Sequence, residues 1–392
     1  MLKILFTGDV CFKVQHEMDE NMAQSVLAEC LPVFESADLR VMNLETPLAP
    51  EGMGEPIPKA GPNIIGRPQN LGFLKAAGCD CAALANNHTR DFGHEPLMNT
   101  IKLLDEAGIA HPGAGRDITE AYKAWRVGKN GVRLSVISVC ENEFGIAERS
   151  LSGTAGYNLN RLAGQIREER LASDKVIVFC HGGNEYNPLP SPGCRDRYRL
   201  MTRLGADAVI AGHTHCPQGF EYYEEKPIVY SMGNFLFKYA GSMPKCWYYG
   251  YMTMLTIDSG GIKVEPIPYT CDEDGTKITL FSGEKLDTML GYLKKLSDII
   301  PDDDLMDNYY DGWCWIQRNF LKDLSVKDEY FDPDNGPVNC KALYNRLICE
   351  AHCELVGNMT KLIFYGKLRH AESWAAELEK LRIDTICDRL EA

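Results

Sequence analysis

No run of apolar residues in this 392-residue chain approaches the roughly 18 that a membrane-crossing helix requires, so no membrane partner is expected. Positive charge is also short: 41 Lys and Arg stand against 55 Asp and Glu, for a formal net charge of −14. Nucleic-acid binding, which needs clustered cations to displace counterions, is therefore not expected. No G-x-x-x-x-G-K-[ST] phosphate cradle occurs. The stretch "HPGAGRDITEA" (111–121) has Ile118 where a dinucleotide fingerprint has its third glycine, and reads as a tight turn before a helix capped at Asp117 or Thr119. The opening "MLKILFTGDV" reaches Gly8 and Asp9 too early for a signal-peptide core and reads as a first strand. Without an export signal, the fifteen cysteines point to a reducing compartment, and a cytoplasmic location is expected. Histidine is scarce, nine in all, so its placement carries weight.

Residues 1 to about 270 alternate buried strand-like runs with amphipathic segments. "KILFTG", "ADLRVMNLE", "DCAALANN", "KVIVFCHG" and "DAVIAGH" are apolar and end in polar residues. "RPQNLGFLKAAG", "EPLMNTIKLLDEAG" and "RDRYRLMTRLG" have helical spacing and glycine stops. Such alternation implies a layered α/β fold with sites at the carboxyl ends of the strands. "KAWRVGKNGVRLSVISV", "FEYYEEKPIVYSMGNFLF" and "YMTMLTIDSGGIKVEPI" read as hairpins that join this sheet or build a second one facing it. Beyond about 280 the chain turns helical in "GEKLDTMLGYLKKLSDII", "NCKALYNRLICEAHCELV" and "AESWAAELEKLRIDTICDRLEA", separated by acidic turn-like stretches such as "PDDD" and "FDPDNGP". The expected division is 1–272 for the α/β domain and 273–392 for a helical C-terminal region packed on it.

Polar residues recur at the strand ends: Asp9, Glu45, Asn86, Asn87, His88, Asp91, His181, Glu185, His213, His215 and Asn234. One such residue is commonly a cap or a turn former. Several carboxylates and imidazoles converging on one rim would be costly to desolvate without a metal to neutralise them. A mixed nitrogen and oxygen set suits one or two divalent ions of manganese, iron or zinc. In extended backbone, residues i and i+2 point the same way, so His213 and His215 are expected to face one cavity.

G-H-x-H at a strand end, after an Asn-His pair and an early Gly-Asp, resembles the calcineurin-like metallophosphoesterases. "GDV", "NLETPL", "LANNHTRDFG", "HGGNEY" and "SMGNFLF", in that order, resemble more narrowly the capsule-synthesis (CapA-like, poly-γ-glutamate) branch, over roughly residues 1 to 270. The resemblance implies a four-layer α/β/β/α sandwich, here followed by a helical extension. It implies Asp9 and His215 on a first metal, Glu45 bridging, and Asn87, His181 and His213 on a second. It makes His88 the acid that protonates the leaving group, with Asp91 orienting its ring. Ions about 3.5–4 Å apart would share a hydroxide for in-line attack at phosphorus. One departure is Cys11, which stands where the wider superfamily has a histidine. A thiolate ligand, a water or a weak first site are the alternatives there.

The function so implied is metal-dependent hydrolysis of a small anionic or phosphorylated substrate. The alternatives are a capsule-type role on poly-γ-glutamate or a related amide polymer, and a non-catalytic metal-binding scaffold. Glu185 and Tyr186 can touch substrate or, as preferred here, stand behind His181. Asn234 can approach the substrate side of the metals or shape a turn. Arg195, Arg197 and Arg199 can clamp an anion or form a solvated helix face. Cys349, His352 and Cys353, with Cys340 upstream, can hold zinc, but a buried cysteine stripe is the reading preferred, because free cysteine behaves as a core hydrophobe.

Overall fold

A computed structural model describes the chain apart from residues 15, 239–242 and 392 and the side chain of Asp323. The strands in chain order begin with β1 (Leu2–Cys11), β2 (Leu39–Leu44), β3 (Cys81–Ala83), β4 (Ala114–Gly115), β5 (Trp125–Lys129) and β6 (Val132–Cys140). Next come β7 (Gly153–Thr154), β8 (Lys175–His181), β9 (Ala208–Gly212), β10 (Phe220–Tyr223) and β11 (Lys226–Val229). The last are β12 (Asn234–Phe237), β13 (Tyr249–Asp258), β14 (Gly261–Cys271) and β15 (Ile278–Leu280). The first sheet runs β15-β14-β13-β1-β2-β3, with β12 pairing the second half of β1. The second runs β10-β11-β9-β8-β6-β5.

Alternation along β1 explains the layers. Ile4 and Phe6 point between the sheets, where Phe6 stacks on Phe179 of β8 with ring centroids 6.3 Å apart. Leu5 points the other way, into a core shared with Phe34, Phe73, Leu97 and Leu104 of the outer helices. On the far side of the second sheet, Leu162, Ile166 and Met201 come from the helices Leu159–Ala172 and Pro192–Leu204. The result is the four-layer α/β/β/α sandwich, with every predicted strand and helix of the first 212 residues present.

The hairpins obey their turn chemistry. Asn130 and Gly131, between β5 and β6, both have positive φ (51° and 78°), as a two-residue turn matching strand twist requires. β13 and β14 pair along their length. The third candidate hairpin is only half one. β10 and β11 pair, but β12 leaves for the first sheet and runs parallel to β1. The turn at "HPGAG" leads to a short helix capped by Asp117, whose side chain accepts from Thr119 and Glu120.

The C-terminal region is helical and joins the hydrophobic core on and around the second sheet through Met289, Leu293, Trp313 and Leu355. The first sheet takes one strand, β15, from beyond residue 272. "PDDD" proves to be a helix start: Asp302 caps Asp303–Ile316, and Asp303 and Asp304 suit the positive end of its dipole. "NCKALYNRLICEAHCELV" is two helices, Gly336–Ile348 and Glu350–Phe364, separated at Cys349. The arginine run is neither an anion clamp nor a solvated face. Arg195 meets Asp303 and the Ile300 carbonyl, Arg197 meets Glu141 and Glu354, and Arg199 makes a two-pronged pair with Glu221. Two of the three therefore fasten the helical region to the α/β layers.

Candidate metal centre

Two glycines explain how the strand ends come so close. A Cβ on Gly8 would meet the Gly233 carbonyl oxygen at 2.0 Å, and one on Gly212 would meet Asp9 Oδ1 at 2.4 Å. Only glycine lets β1 seat against β12 there and lets the Asp9 carboxylate lie under the end of β9. Asp9 Oδ2 then accepts from the backbone N–H of His213 at 2.8 Å.

His213 and His215 reach the cavity by a different route from the one alternation suggests. β9 stops at Gly212, and His213 and His215 sit at φ 95° and 55°. Extended i, i+2 geometry is therefore absent. Two non-glycine residues at positive φ carry backbone strain, which collects at functional sites.

The side chains converge. His213 Nδ1 and Asn87 Oδ1 each lie 3.1 Å from His181 Nε2, and Glu45 Oε1 lies 3.3 Å from it. Such separations are those of ligands around an ion held at about 2.0–2.2 Å. Ligand atoms of Glu45, His181 and His213 form one cluster, and those of Asp9, Glu45 and His215 a second, with Glu45 in both. Glu45 is fully buried, yet neither carboxylate oxygen has a hydrogen-bond partner among the described residues. Burial and the nearby Asp9 carboxylate push its carboxyl well above the usual range. Burial holds the His181 imidazole below its ordinary value, against the pull of Asp9 and Glu143, which favours the neutral form a metal binds. The donor set fits divalent cations.

His88 and Asp91 lie beside this centre. His88 Nδ1 is 2.6 Å from Asp91 Oδ2, and the ring lines a cavity of about 450 Å³ over the centre. Asn234 orients rather than touches: its Oδ1 is 2.8 Å from His215 Nδ1, while its amide donates to the Trp247 carbonyl. Cys11 belongs to none of the ligand clusters found among the described residues. It packs with Ile64, Phe237 and Trp247. Glu185 is exposed on the cavity wall, and the place behind His181 belongs to Asn43, whose Nδ2 lies 3.0 Å from His181 Nδ1 and 2.6 Å from Asp9 Oδ1.

Three residues of this region were not anticipated. Asn43 shares the β2 face of Glu45, two residues earlier, a placement visible in "MNLE". Glu143 follows β6 as Glu45 follows β2. Its carboxyl, raised by burial, is held at about 2 by His213, His352, Lys59 and the Asn87 amide. Lys59 carries no signal in "PIPKAGP". Buried, it donates to Asp91 Oδ1 at 2.6 Å and to the Asn87 carbonyl at 2.9 Å.

Residues 3–239 match the family model described as "Bacterial capsule synthesis protein PGA_cap". The chain is 30% identical over 246 residues to the capsule biosynthesis protein CapA of Bacillus anthracis, covering 60% of each. It is 25% identical over 242 residues to the PGA biosynthesis protein CapA of Bacillus subtilis (strain 168), covering 60% of this chain and 63% of that one. The match thus spans less than two thirds of either relative. Among solved structures, a hypothetical protein from Thermus thermophilus aligns at 16% identity with a TM-score of 0.43, covering 69% of this chain and 99% of that one. With three fifths of its length matched to the family model, the chain belongs to the bacterial capsule synthesis protein PGA_cap family.

Proposed function

We propose that the chain is a metal-dependent hydrolase of the phosphoesterase type acting on a small anionic or phosphorylated substrate. In this reading Asp9, Glu45 and His215 hold one divalent cation, and Glu45, Asn87, His181 and His213 hold another. Bound there, divalent cations supply Lewis acidity that polarises a phosphoryl oxygen and acidifies water. The chain's own groups handle position and proton. Asn234 Oδ1, accepting from Nδ1, fixes the ring of His215, and Asn43 stands between Asp9 and His181. Asp91 holds His88 by Nδ1, so that Nε2 is the atom that delivers a proton to a leaving-group oxygen in the cavity. Lys59 neutralises Asp91, which would otherwise be a buried charge answered only by an imidazole.

The observation that carries this reading is Glu45, a fully buried carboxylate with two orphan oxygens lying in both ligand clusters. Among the described residues no Lys or Arg pairs with it and only imidazoles stand near, so a cation would answer its charge.

A second substrate class is favoured by the family itself. Relatives bear the names of capsule and PGA biosynthesis proteins, and the same Lewis acidity would polarise an amide carbonyl of poly-γ-glutamate. One experiment separates the readings. The full chain, reconstituted with manganese, is assayed on aryl phosphate monoesters and diesters and on poly-γ-glutamate. Ester cleavage lost in His88→Ala at unchanged metal content supports the proposal. Shortening of the polymer with no ester cleaved replaces it with the amide reading, and metal binding without turnover on either leaves a scaffold.

A further inference from the structure

A separate group of donor atoms lies where the helical region meets the loop after β6. Glu143 on that loop, Cys349 capping the helix Glu350–Phe364 and His352 in its first turn each present one, all within 4.8 Å of one another. Cys349 is fully buried, whereas Cys340 and His352 are half-buried and Cys353 is exposed, so the expected buried cysteine stripe is absent. Cys349 Sγ lies 3.9 Å from Glu143 Oε1 and 3.6 Å from Glu141 Oε2. Around a tetrahedral zinc, sulfur and oxygen ligands stand roughly 3.5 Å apart, given bonds of about 2.3 and 2.0 Å. His352 is held by one nitrogen, Nδ1, 2.9 Å from Asn345 Oδ1, as metal-bound imidazoles commonly are.

Charge points the same way. Glu141 is answered by Arg197 at 2.6 Å. Glu143 has no Lys or Arg within ion-pair reach among the described residues. Its neighbours are the Asn87 amide at 3.3 Å, His213 Nε2 at 3.8 Å and the Cys349 thiol. Asn184, buried and lining the cavity over the first centre, has an amide oxygen without a hydrogen-bond partner among the described residues. A buried carboxylate, a buried thiol and a half-buried imidazole, with an orphan amide oxygen lining the same cavity, make a donor set that suits a cation.

We propose that Glu143, Cys349 and His352 form a zinc-type cation site distinct from the centre around Glu45. The Cys349 proton leaves to solvent as the thiolate binds. Because Glu143 follows β6 and the other two belong to the C-terminal helix, cation binding fastens the helical region over the cavity. The site does not require turnover at the first centre.

The test is a titration of the metal-free full chain with cobalt(II), following the thiolate-to-cobalt charge-transfer band. The centre around Glu45 holds no sulfur ligand in this reading, and Cys11→Ser controls for the neighbouring thiol. At saturating cobalt the band is expected to reach the intensity of one thiolate-bound ion per chain in the wild type, in Cys11→Ser and in Glu45→Gln, and to vanish in Cys349→Ser. His352→Ala, at a half-buried position, is expected to weaken cobalt binding at least tenfold. A wild type without the band, or a band surviving in Cys349→Ser, overturns the proposal. If Cys349→Ser does not fold, unchanged cobalt affinity in His352→Ala overturns it equally.

Discussion

The cavity over the candidate metal centre has two walls of different origin. One is made of strand ends and their loops, with Lys59, Asn87, His88 and Glu143. The other is made of the C-terminal helices, with Trp313, Gln317, Phe320, Asn345 and His352. The first lies inside the stretch matched by the family model and the second wholly outside it. The first is polar and tied down by buried hydrogen bonds, while the second is largely aromatic and amide. In the proposed reading the contrast divides the labour, proton transfer to the strand-end wall and substrate contact to the helical wall, although Cys349 against Glu143 and Arg197 between Glu141 and Glu354 tie the two together.

Four experiments break or sharpen that separation. The largest effect is expected on the strand-end wall: His88→Ala should lower kcat on a cleaved phosphoester by about 10²–10⁴-fold, with KM little changed. A comparable rise in KM instead would place His88 in binding. Next, Lys59→Met leaves Asp91 buried without its cation, and a loss of about 3–5 kcal/mol in denaturant unfolding is expected. A loss below about 1 kcal/mol would show that His88 alone suffices to hold Asp91.

On the helical wall, Phe320→Ala should raise KM for an aryl phosphate about tenfold with kcat held, the size of one lost aromatic contact. A fall in kcat of the same size would erase the distinction between the walls. The smallest effect concerns Glu45. Its folded-state carboxyl titrates above the ordinary 4.5, so its contribution to stability is complete below that value and is lost as pH rises toward the folded one. The metal-free protein should therefore melt a few degrees lower at pH 8 than at pH 5 through this group. Glu45→Gln should remove that part of the slope, and manganese should reverse it in the wild type only. A metal-free melting profile identical in the two proteins would dismiss Glu45 as the source.

Much of the first wall is legible in the sequence. Buried strands that end in acids and histidines have few uses other than a shared rim, and Asp9, Glu45, Asn87, His181, His213 and His215 do lie together. The route differs for one pair, since His213 and His215 owe their common direction to positive φ rather than to extended backbone. Glu143 was missed although it follows β6 by the same rule. Lys59 was beyond reach, because nothing in a proline-rich loop tells where a single lysine will bury its ammonium. The helix Asp303–Ile316 was hidden by "PDDD", which is as good a helix cap as it is a turn.

Local pattern by itself determined the alternation of strands and helices, two of the three hairpins and the identity of most candidate donor residues, because periodicity, turn chemistry and strand-end polarity act over a few residues; the four layers came from the family resemblance. Only the tertiary structure decided that Asn43 rather than Glu185 backs His181, that Cys11 is packing, that the arginines at 195 and 197 tie down the helices, and that Cys349 meets Glu143. Those contacts join residues 34 to more than 200 positions apart, and no short-range rule carries information over such a distance.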